Sequence, residues 1–191
     1  MTKYIWIPIL IIIGFSFSKI ETKEKPADDS VKINWMSFEQ AIAAQKKNPK
    51  KIIMDAYTDW CGPCKMLDAN TFSNPDLIKY VNDNFYAVKF DAEGNEIINF
   101  KGKTYTNPNY DPAKDKMRNS SHQLSIYYQI RSYPTILFID EQATTLSPVI
   151  GYKTPQQLEI YLKLFGSNDY KNIKTTEDWT NYQANFKSTF K

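Results

Sequence analysis

The sequence has few residues that bind metals. It contains one histidine, His122, and two cysteines, Cys61 and Cys64, among 191 residues. A structural zinc site takes four such ligands, and a haem-attachment motif needs a histidine directly after its second cysteine, where this chain has Lys65. The sequence therefore predicts no metal site. It also predicts that His122, which lies in a polar stretch, is a solvent-exposed surface residue without a catalytic role.

The sequence also lacks any concentration of charge. The formal net charge is +3, from 24 basic and 21 acidic residues, and both signs are scattered along the chain. Because nucleic-acid-binding proteins usually carry a basic patch, nucleic acid is not a predicted partner. The length corresponds to one domain with room for a modest extension.

Long apolar runs are absent except near the N-terminus. There Lys3 precedes an apolar run at 4–13, and Ser16 and Ser18 occupy the −3 and −1 positions of a cleavage site. This pattern is typical of a secretory signal peptide at 1–18, and the run is shorter than the roughly 20 residues that cross a membrane. An uncleaved N-terminal anchor is the alternative.

The rest of the chain is predicted to have three parts. Residues 19–30 form a polar linker, 31–166 form the folded domain, and 167–191 form a C-terminal helical extension. The signal peptide predicts a periplasmic or otherwise extracytoplasmic location. Exported proteins usually use disulfides to close long loops, but a bridge between the two cysteines would enclose only two residues and restrain the unfolded chain very little. A redox task therefore explains the pair better than structural stapling.

The hydrophobic pattern predicts the order helix, strand, helix, helix, strand, helix, strand, strand, helix. Such an order describes an α/β fold with a mixed sheet flanked by helices on both faces. Ser37 and Gln40 form a predicted capping box for the first helix, and Ser120 or Ser121 is predicted to cap the fourth. A polar segment at 99–119 is predicted to be an insertion with a small hairpin near its start.

Aromatic residues recur near the C-terminus at helical spacing. They are Trp179, Tyr182, Phe186 and Phe190. An aromatic stripe of this kind more often packs onto its own domain than recognises a partner, so packing is the prediction. Pro148 marks the last predicted strand as an edge strand, since proline cannot donate to a central ladder.

The position of the cysteines indicates their chemistry. Cys61 follows a predicted strand and opens a predicted helix, with Pro63 at an early helical position. Because the N–H groups and the dipole of a helix N-terminus favour an anion, Cys61 is predicted to form a thiolate that attacks a disulfide in another molecule. Cys64, one turn further on, then attacks the mixed disulfide and releases the reduced product. The pair is thus predicted to carry two electrons reversibly.

Three stretches of the sequence resemble the thioredoxin family. The family's active-site motif is similar to "DAYTDWCGPCK", and its cis-proline segment is similar to "YPTILFID". The third stretch resembles a secreted subgroup of the family and reads "NTFSNPDLIKYVNDNFYAVKFDAEG". This subgroup is similar to the C-terminal domain of the transmembrane thiol:disulfide interchange protein. The resemblance covers Trp35 to Gly166 and implies a thioredoxin fold.

The resemblance implies catalytic roles for three residues. Cys61 corresponds to the attacking cysteine, Cys64 to the resolving cysteine, and Asp55 to the buried acid that helps to deprotonate the resolving thiol. No cofactor is implied beyond the redox-active disulfide of the two cysteines.

The resemblance also implies which residues contact substrate. Trp60 corresponds to the tryptophan that shields the pair, and Gly62 and Pro63 to the dipeptide that accompanies a reducing potential. Pro134 corresponds to the cis-proline whose neighbouring backbone pairs with substrate, and Gly151 to a glycine in a loop near the site.

The sequence departs from the family in three places. The lysine that partners the buried acid would fall near Ala87; Lys89 has the same strand parity but lies two residues from that position, so the sequence leaves the complete proton relay open. The insertion at 99–119 is absent from thioredoxin itself. Tyr133 precedes the proline where small or β-branched residues are common, so a narrower or more aromatic substrate groove is expected.

These features predict a monomeric thiol-disulfide oxidoreductase that reduces disulfides in exported proteins. A reductase outside the cytosol needs a supply of electrons, so a membrane-embedded thiol relay is the implied partner. Two alternatives stay open. One is a disulfide oxidase or isomerase, against which Gly62 and Pro63 argue, and the other is a non-catalytic protein that uses the scaffold to bind a client.

Overall fold

The computed structural model describes Met1 and residues 32–191. The predicted linker, and the predicted signal peptide apart from Met1, lie outside the described residues. The strands are β1 Trp35–Met36, β2 Lys51–Tyr57, β3 Phe85–Asp91, β4 Ile98–Phe100, β5 Lys103–Tyr105, β6 Thr135–Ile139 and β7 Thr145–Ile150. The helices are α1 Phe38–Lys47, α2 Gly62–Asn70, α3 Pro75–Asn84, α4 Gln123–Tyr127, α5 Pro155–Gly166 and α6 Thr176–Asn185. Within this described part, no helix is long and apolar enough to cross a membrane.

Five strands form the central sheet in the order β1-β3-β2-β6-β7. β3 runs parallel to β1 and β2, β6 runs antiparallel to β2, and β7 runs antiparallel to β6. Pro148 lies in β7, at one edge of the sheet, as its missing N–H predicts. The mixed sheet and the thioredoxin-like α/β fold predicted from the sequence are confirmed.

The alternation of side chains along β2 divides the core into two clusters. Ile52 and Met54 belong to the cluster that contains Phe38 of α1. Ile53 belongs to the other cluster, which contains Leu67 of α2 and residues of α3 and α5. The helix that carries the cysteines is therefore packed on the Ile53 face of the sheet.

The cap of α4 differs from the prediction. The N-cap is His122, and neither Ser120 nor Ser121 has that role. The Nδ1 of His122 accepts a hydrogen bond from the backbone N–H of Leu124 at 3.0 Å, and its Nε2 lies 2.8 Å from the carbonyl oxygen of Glu96. Since a carbonyl can only accept, Nε2 carries the proton. The prediction of an exposed surface histidine is wrong: His122 is buried, and burial lowers the pKa of its ring.

The insertion begins with the predicted hairpin. β4 and β5 pair around Lys101 and Gly102, which have φ values of 50° and 74°, as a two-residue hairpin turn requires. Further along, the Nδ2 of Asn107 donates to the carbonyl oxygens of Glu93 at 3.1 Å and Ser120 at 2.7 Å. These bonds hold the insertion against the loop that follows β3.

The C-terminal aromatic residues do not all lie on one helix, although their spacing predicted it. Trp179 and Tyr182 lie on α6 and pack against the core, but α6 stops short of Phe190, which reaches the core from the final segment. Glu159 of α5 is buried and accepts hydrogen bonds from the backbone N–H groups of Thr189 at 2.9 Å and Phe190 at 3.0 Å. A buried carboxylate therefore holds the C-terminal segment.

Replacing Glu159 by Gln is expected to lower the free energy of unfolding by about 2 kcal/mol, because hydrogen bonds to a charged group contribute roughly 1.5–3 kcal/mol. Urea denaturation measures this change. Glu177→Gln, at an exposed position of α6, is the control and is expected to change stability by less than about 0.5 kcal/mol. Equal loss in the two variants would show that Glu159 does not hold the C-terminal segment.

Candidate active site

Cys61 lies at the junction of β2 and α2. It is the N-cap residue of α2, and its Sγ accepts a hydrogen bond from the backbone N–H of Cys64 at 3.2 Å. Gly62 and Pro63 form the start of the helix, where the missing N–H of proline removes no intrahelical bond. A disulfide joins Cys61 to Cys64, whose Cα atoms are 5.3 Å apart. The predicted placement of a sulfur at a helix start is confirmed.

The N-cap position, and not burial, distinguishes the two sulfurs. Cys61 and Cys64 are each 2% exposed, whereas Gly62 and Pro63 between them are exposed. Only Cys61 lies where the unpaired N–H groups of α2 converge. In residues 32–191 there is no group of His, Cys, Asp or Glu side chains that could hold a metal ion.

Asp55 lies in β2 on the same face as Ile53 and is fully buried. Its register partner in β3 is Lys89, whose Nζ donates to Asp55 Oδ2 at 2.6 Å. The resemblance places the family's lysine near Ala87, whereas in the structure the partner of the acid is Lys89, two residues further on. Ala87 and Lys89 point to the same face of β3 because they are two residues apart, and Lys89 is the one that lies opposite Asp55.

Burial changes the acidity of Asp55. It raises the pKa of this carboxyl from 3.8 to about 6, although the neighbouring Lys89 acts in the opposite direction. The second carboxyl oxygen, Oδ1, is buried and has no hydrogen-bond partner among the described residues. A carboxyl group with a pKa near neutrality and one unpaired oxygen is suited to exchange a proton.

Lys89 also connects the sheet to α2. It forms a second ion pair with Asp68 of α2, and its Nζ lies 5.2, 4.9 and 5.4 Å from the ring centroids of Trp35, Tyr57 and Phe72. These cation–π contacts fix the position of the ammonium group. Sequence reasoning missed Asp68, although it lies one helical turn after the second cysteine and so on the same face of α2.

The segment before β6 lies beside the end of β2. Thr135 pairs with Ala56, so Pro134 lies level with the strand end that leads to the cysteines. The peptide bond between Tyr133 and Pro134 is cis, as predicted. Gly151 has a φ of 79°, and its N–H donates to the carbonyl oxygen of Pro134 at 2.8 Å. The structure thus brings together three predicted site residues, Tyr133, Pro134 and Gly151.

Trp60 connects the cysteine segment to the insertion. Its Nε1 donates to Glu93 Oε2 at 2.7 Å, and the backbone N–H of Asn119 donates to the same oxygen at 2.8 Å. Tyr133 packs edge-on against the indole with centroids 5.9 Å apart, and Arg118 Cζ lies 4.4 Å from the ring centroid. Sequence reasoning missed Glu93, Arg118 and Asn119, because the contacts join parts of the chain that no local pattern relates.

Comparisons with known proteins show the family to which the chain belongs. Residues 38–166 match the model of the thioredoxin-like domain family. The thiol:disulfide interchange protein DsbD of Pectobacterium atrosepticum is 25% identical over 125 residues, which are 64% of this chain and 18% of that protein. Thioredoxin of Mycoplasmoides gallisepticum is 26% identical over 114 residues, which are 60% of this chain and 83% of that protein. A solved thioredoxin-fold protein from Helicobacter pylori is 21% identical with a TM-score of 0.57, over 76% of this chain and 94% of the other.

The coverage differs between these relatives. The chain spans about a fifth of the length of the DsbD proteins, 18% and 19% in two cases. The family model, by contrast, matches more than half of the chain, and the matched range contains Asp55, both cysteines and the cis proline. The chain therefore belongs to the thioredoxin-like domain family of thiol-disulfide oxidoreductases, with Cys61 and Cys64 as its Cys-x-x-Cys pair.

Proposed function

We propose that this protein reduces disulfides of exported proteins through Cys61 and Cys64. The observation that carries the proposal is the Sγ of Cys61 at the N-cap of α2, where it accepts the N–H of Cys64. The Cys61 thiolate attacks one sulfur of the substrate disulfide, forms a mixed disulfide and displaces the other sulfur, which takes up a proton. Cys64 then attacks the sulfur of Cys61, which leaves the substrate with two thiols and the protein with its disulfide.

The helix position accounts for the reactivity of Cys61. An ordinary thiol has a pKa of about 8.5, and each unit of lowering corresponds to about 1.36 kcal/mol. A helix N-terminus stabilises an anion by up to about 2 kcal/mol in a partly buried geometry, which favours the thiolate of Cys61. The N–H of Cys64 adds a direct donor to the anion.

Asp55 is proposed to accept the proton of the Cys64 thiol before the second attack. Three features support this role: its burial on the face of the sheet that packs against α2, its unpaired Oδ1, and its pKa of about 6. Lys89 is proposed to hold the carboxyl in place and to stabilise its charged form.

The substrate is proposed to lie along the rim around the disulfide. This rim comprises Trp60, Gly62, Pro63, Tyr133, Pro134 and Gly151. Gly62 and Pro63 are exposed, so they offer the backbone nearest the sulfurs to an incoming chain. Tyr133 contributes an aromatic wall; burial raises the pKa of its hydroxyl to about 12, so this group is neutral in that wall at physiological pH.

The setting proposed for this reaction is outside the cytosol. The signal-like segment at 1–18, the linker at 19–30 and the C-terminal extension at 167–191 are proposed to flank the catalytic domain at 31–166. Because a reductase must be re-reduced, we propose that a membrane-embedded thiol relay supplies two electrons to the disulfide. The similarity to proteins named thiol:disulfide interchange protein supports such a relay. A monomer is proposed.

Two measurements test the direction of the reaction. The reduced protein is expected to cleave the disulfides of insulin, and its equilibrium with glutathione is expected to give a potential near that of thioredoxin, about −270 mV. A value near −120 mV would instead identify an oxidant. A client bound equally well after both cysteines are changed to Ala, without insulin cleavage by the unchanged protein, would identify a binding protein.

A further inference from the structure

The chain has only two arginines, Arg118 and Arg131, among its 24 basic residues. Arg118 comes from the insertion, and its guanidinium lies over the indole of Trp60 with Cζ 4.4 Å from the ring centroid. Trp60 is bonded to Cys61, the N-cap residue of α2. The insertion thus places a permanent cation beside the residue that precedes the first cysteine.

Within residues 32–191 the guanidinium has no acidic partner. Arg118 is exposed, and in the described residues it forms neither an ion pair nor a hydrogen bond. Glu93 is engaged by Trp60 and by the backbone, Asp91 accepts the N–H of Glu93, and Asp115 accepts the hydroxyl of Tyr110. The N–H groups of the Arg118 guanidinium are therefore open to a ligand.

The backbone next to Arg118 is fixed. The N–H of Asn119 donates to Glu93 at 2.8 Å, and its side-chain Oδ1 accepts from the N–H groups of Asp111 and Ser120, both at 3.0 Å. The cation–π contact with Trp60 holds the guanidinium over the indole ring. A guanidinium is planar, and its N–H edge can bind a carboxylate through two hydrogen bonds.

We propose that Arg118 is a specificity-determining residue that selects disulfide substrates with an aspartate or glutamate beside the reacting cysteine. The inference rests on the proposed disulfide reduction. The carboxylate binds the open edge of the guanidinium while the neighbouring substrate sulfur meets Cys61. A neutral side chain at that position of the substrate forms no such charge-assisted pair with Arg118.

Two short capped peptides test the proposal, one with Glu and one with Gln directly before a single cysteine that forms a mixed disulfide with 2-mercaptoethanol. The reduced full chain is expected to react about two- to fivefold faster with the Glu peptide, the range of an exposed ion pair. Arg118→Gln should bring the ratio of the two rates close to one, and Arg118→Lys should restore only part of it. Lys116→Gln, which removes an exposed cation from the same insertion, should leave the ratio unchanged.

The ratio separates recognition from general effects. A variant that only disturbs Trp60 slows both peptides equally and leaves their ratio as it was. A ratio of one for the unchanged protein, or the same ratio in Arg118→Gln, would overturn the inference while leaving disulfide reduction intact. If Arg118→Lys kept the full rate ratio, the carboxylate would not be bound through two hydrogen bonds to a planar guanidinium. No reaction of the unchanged protein with either peptide, or with insulin, would instead refute the proposed function.

Discussion

Cys61→Ser is expected to abolish disulfide reduction, whereas Cys64→Ser is expected to stop it after the first exchange. A serine hydroxyl at the N-cap of α2 does not form an anion at neutral pH, so no attack on a substrate sulfur takes place. Without the second thiol, the mixed disulfide between Cys61 and substrate cannot be resolved. The rate of insulin cleavage should therefore fall to the background rate in both variants, and only Cys64→Ser should accumulate a covalent complex, which mass spectrometry of the unreduced sample detects.

Loss of the fold does not complicate this comparison. Serine is a favourable N-cap, so Cys61→Ser keeps the start of α2. The disulfide encloses only two residues and contributes little to the stability of the chain. Circular dichroism of the two variants should match that of the unchanged protein. Insulin cleavage by Cys61→Ser at the normal rate would refute the assignment of Cys61 as the attacking residue.

The parts of the fold that follow from local sequence were predictable. The capping box of Ser37 and Gln40 is present at α1, and Pro63 lies in the first turn of α2. The hydrophobic run of β2 predicted a buried strand, which places Cys61 at the helix start. Each of these features depends on residues within one or two turns of each other, so the local sequence pattern is sufficient to predict it.

The features that the sequence did not reveal depend on contacts between distant segments. Lys89 reaches Asp55 because the two strands pair in that register, which no pattern within either strand determines. His122 is buried because its ring packs against Phe90 of β3 and bonds to the loop after that strand, although its own neighbours in the sequence are polar. The contact of Arg118 with Trp60 likewise requires the insertion to return to the active site.

Asp55→Asn is expected to stabilise the protein at pH 7 by about 2–3 kcal/mol. The pKa of Asp55 is about 6 in the folded chain and 3.8 as its ordinary value, so the folded state binds the proton more tightly. The stability that this group provides is complete below about pH 4 and is lost as the pH rises to about 6. A neutral amide avoids that loss, and a shift of about two pKa units corresponds to about 3 kcal/mol. Denaturation of the oxidised protein between pH 4 and 8 measures the difference.

Asp68→Asn is the matched control for this stability effect. It removes the other carboxylate that Lys89 contacts, but Asp68 is half exposed, so its loss should lower stability by at most about 1 kcal/mol. The two substitutions are therefore expected to change stability in opposite directions. If Asp55→Asn were less stable than the unchanged protein at pH 7, the ion pair with Lys89 would outweigh the burial of the carboxyl, and the pKa of Asp55 would not be raised.

The same substitution is expected to slow the second step of the reaction. If Asp55 accepts the proton of the Cys64 thiol, resolution of the mixed disulfide should accelerate as the pH rises through about 6 in the unchanged protein, because the carboxyl must be ionised to act. In Asp55→Asn this rise should be absent, and the step should be slower by about a hundredfold near pH 7, the lower range of general-base effects. Stopped-flow measurement with a preformed mixed disulfide isolates the step. If Asp55→Asn were more stable but resolved the mixed disulfide at an unchanged rate, Asp55 would destabilise the fold without taking part in proton transfer.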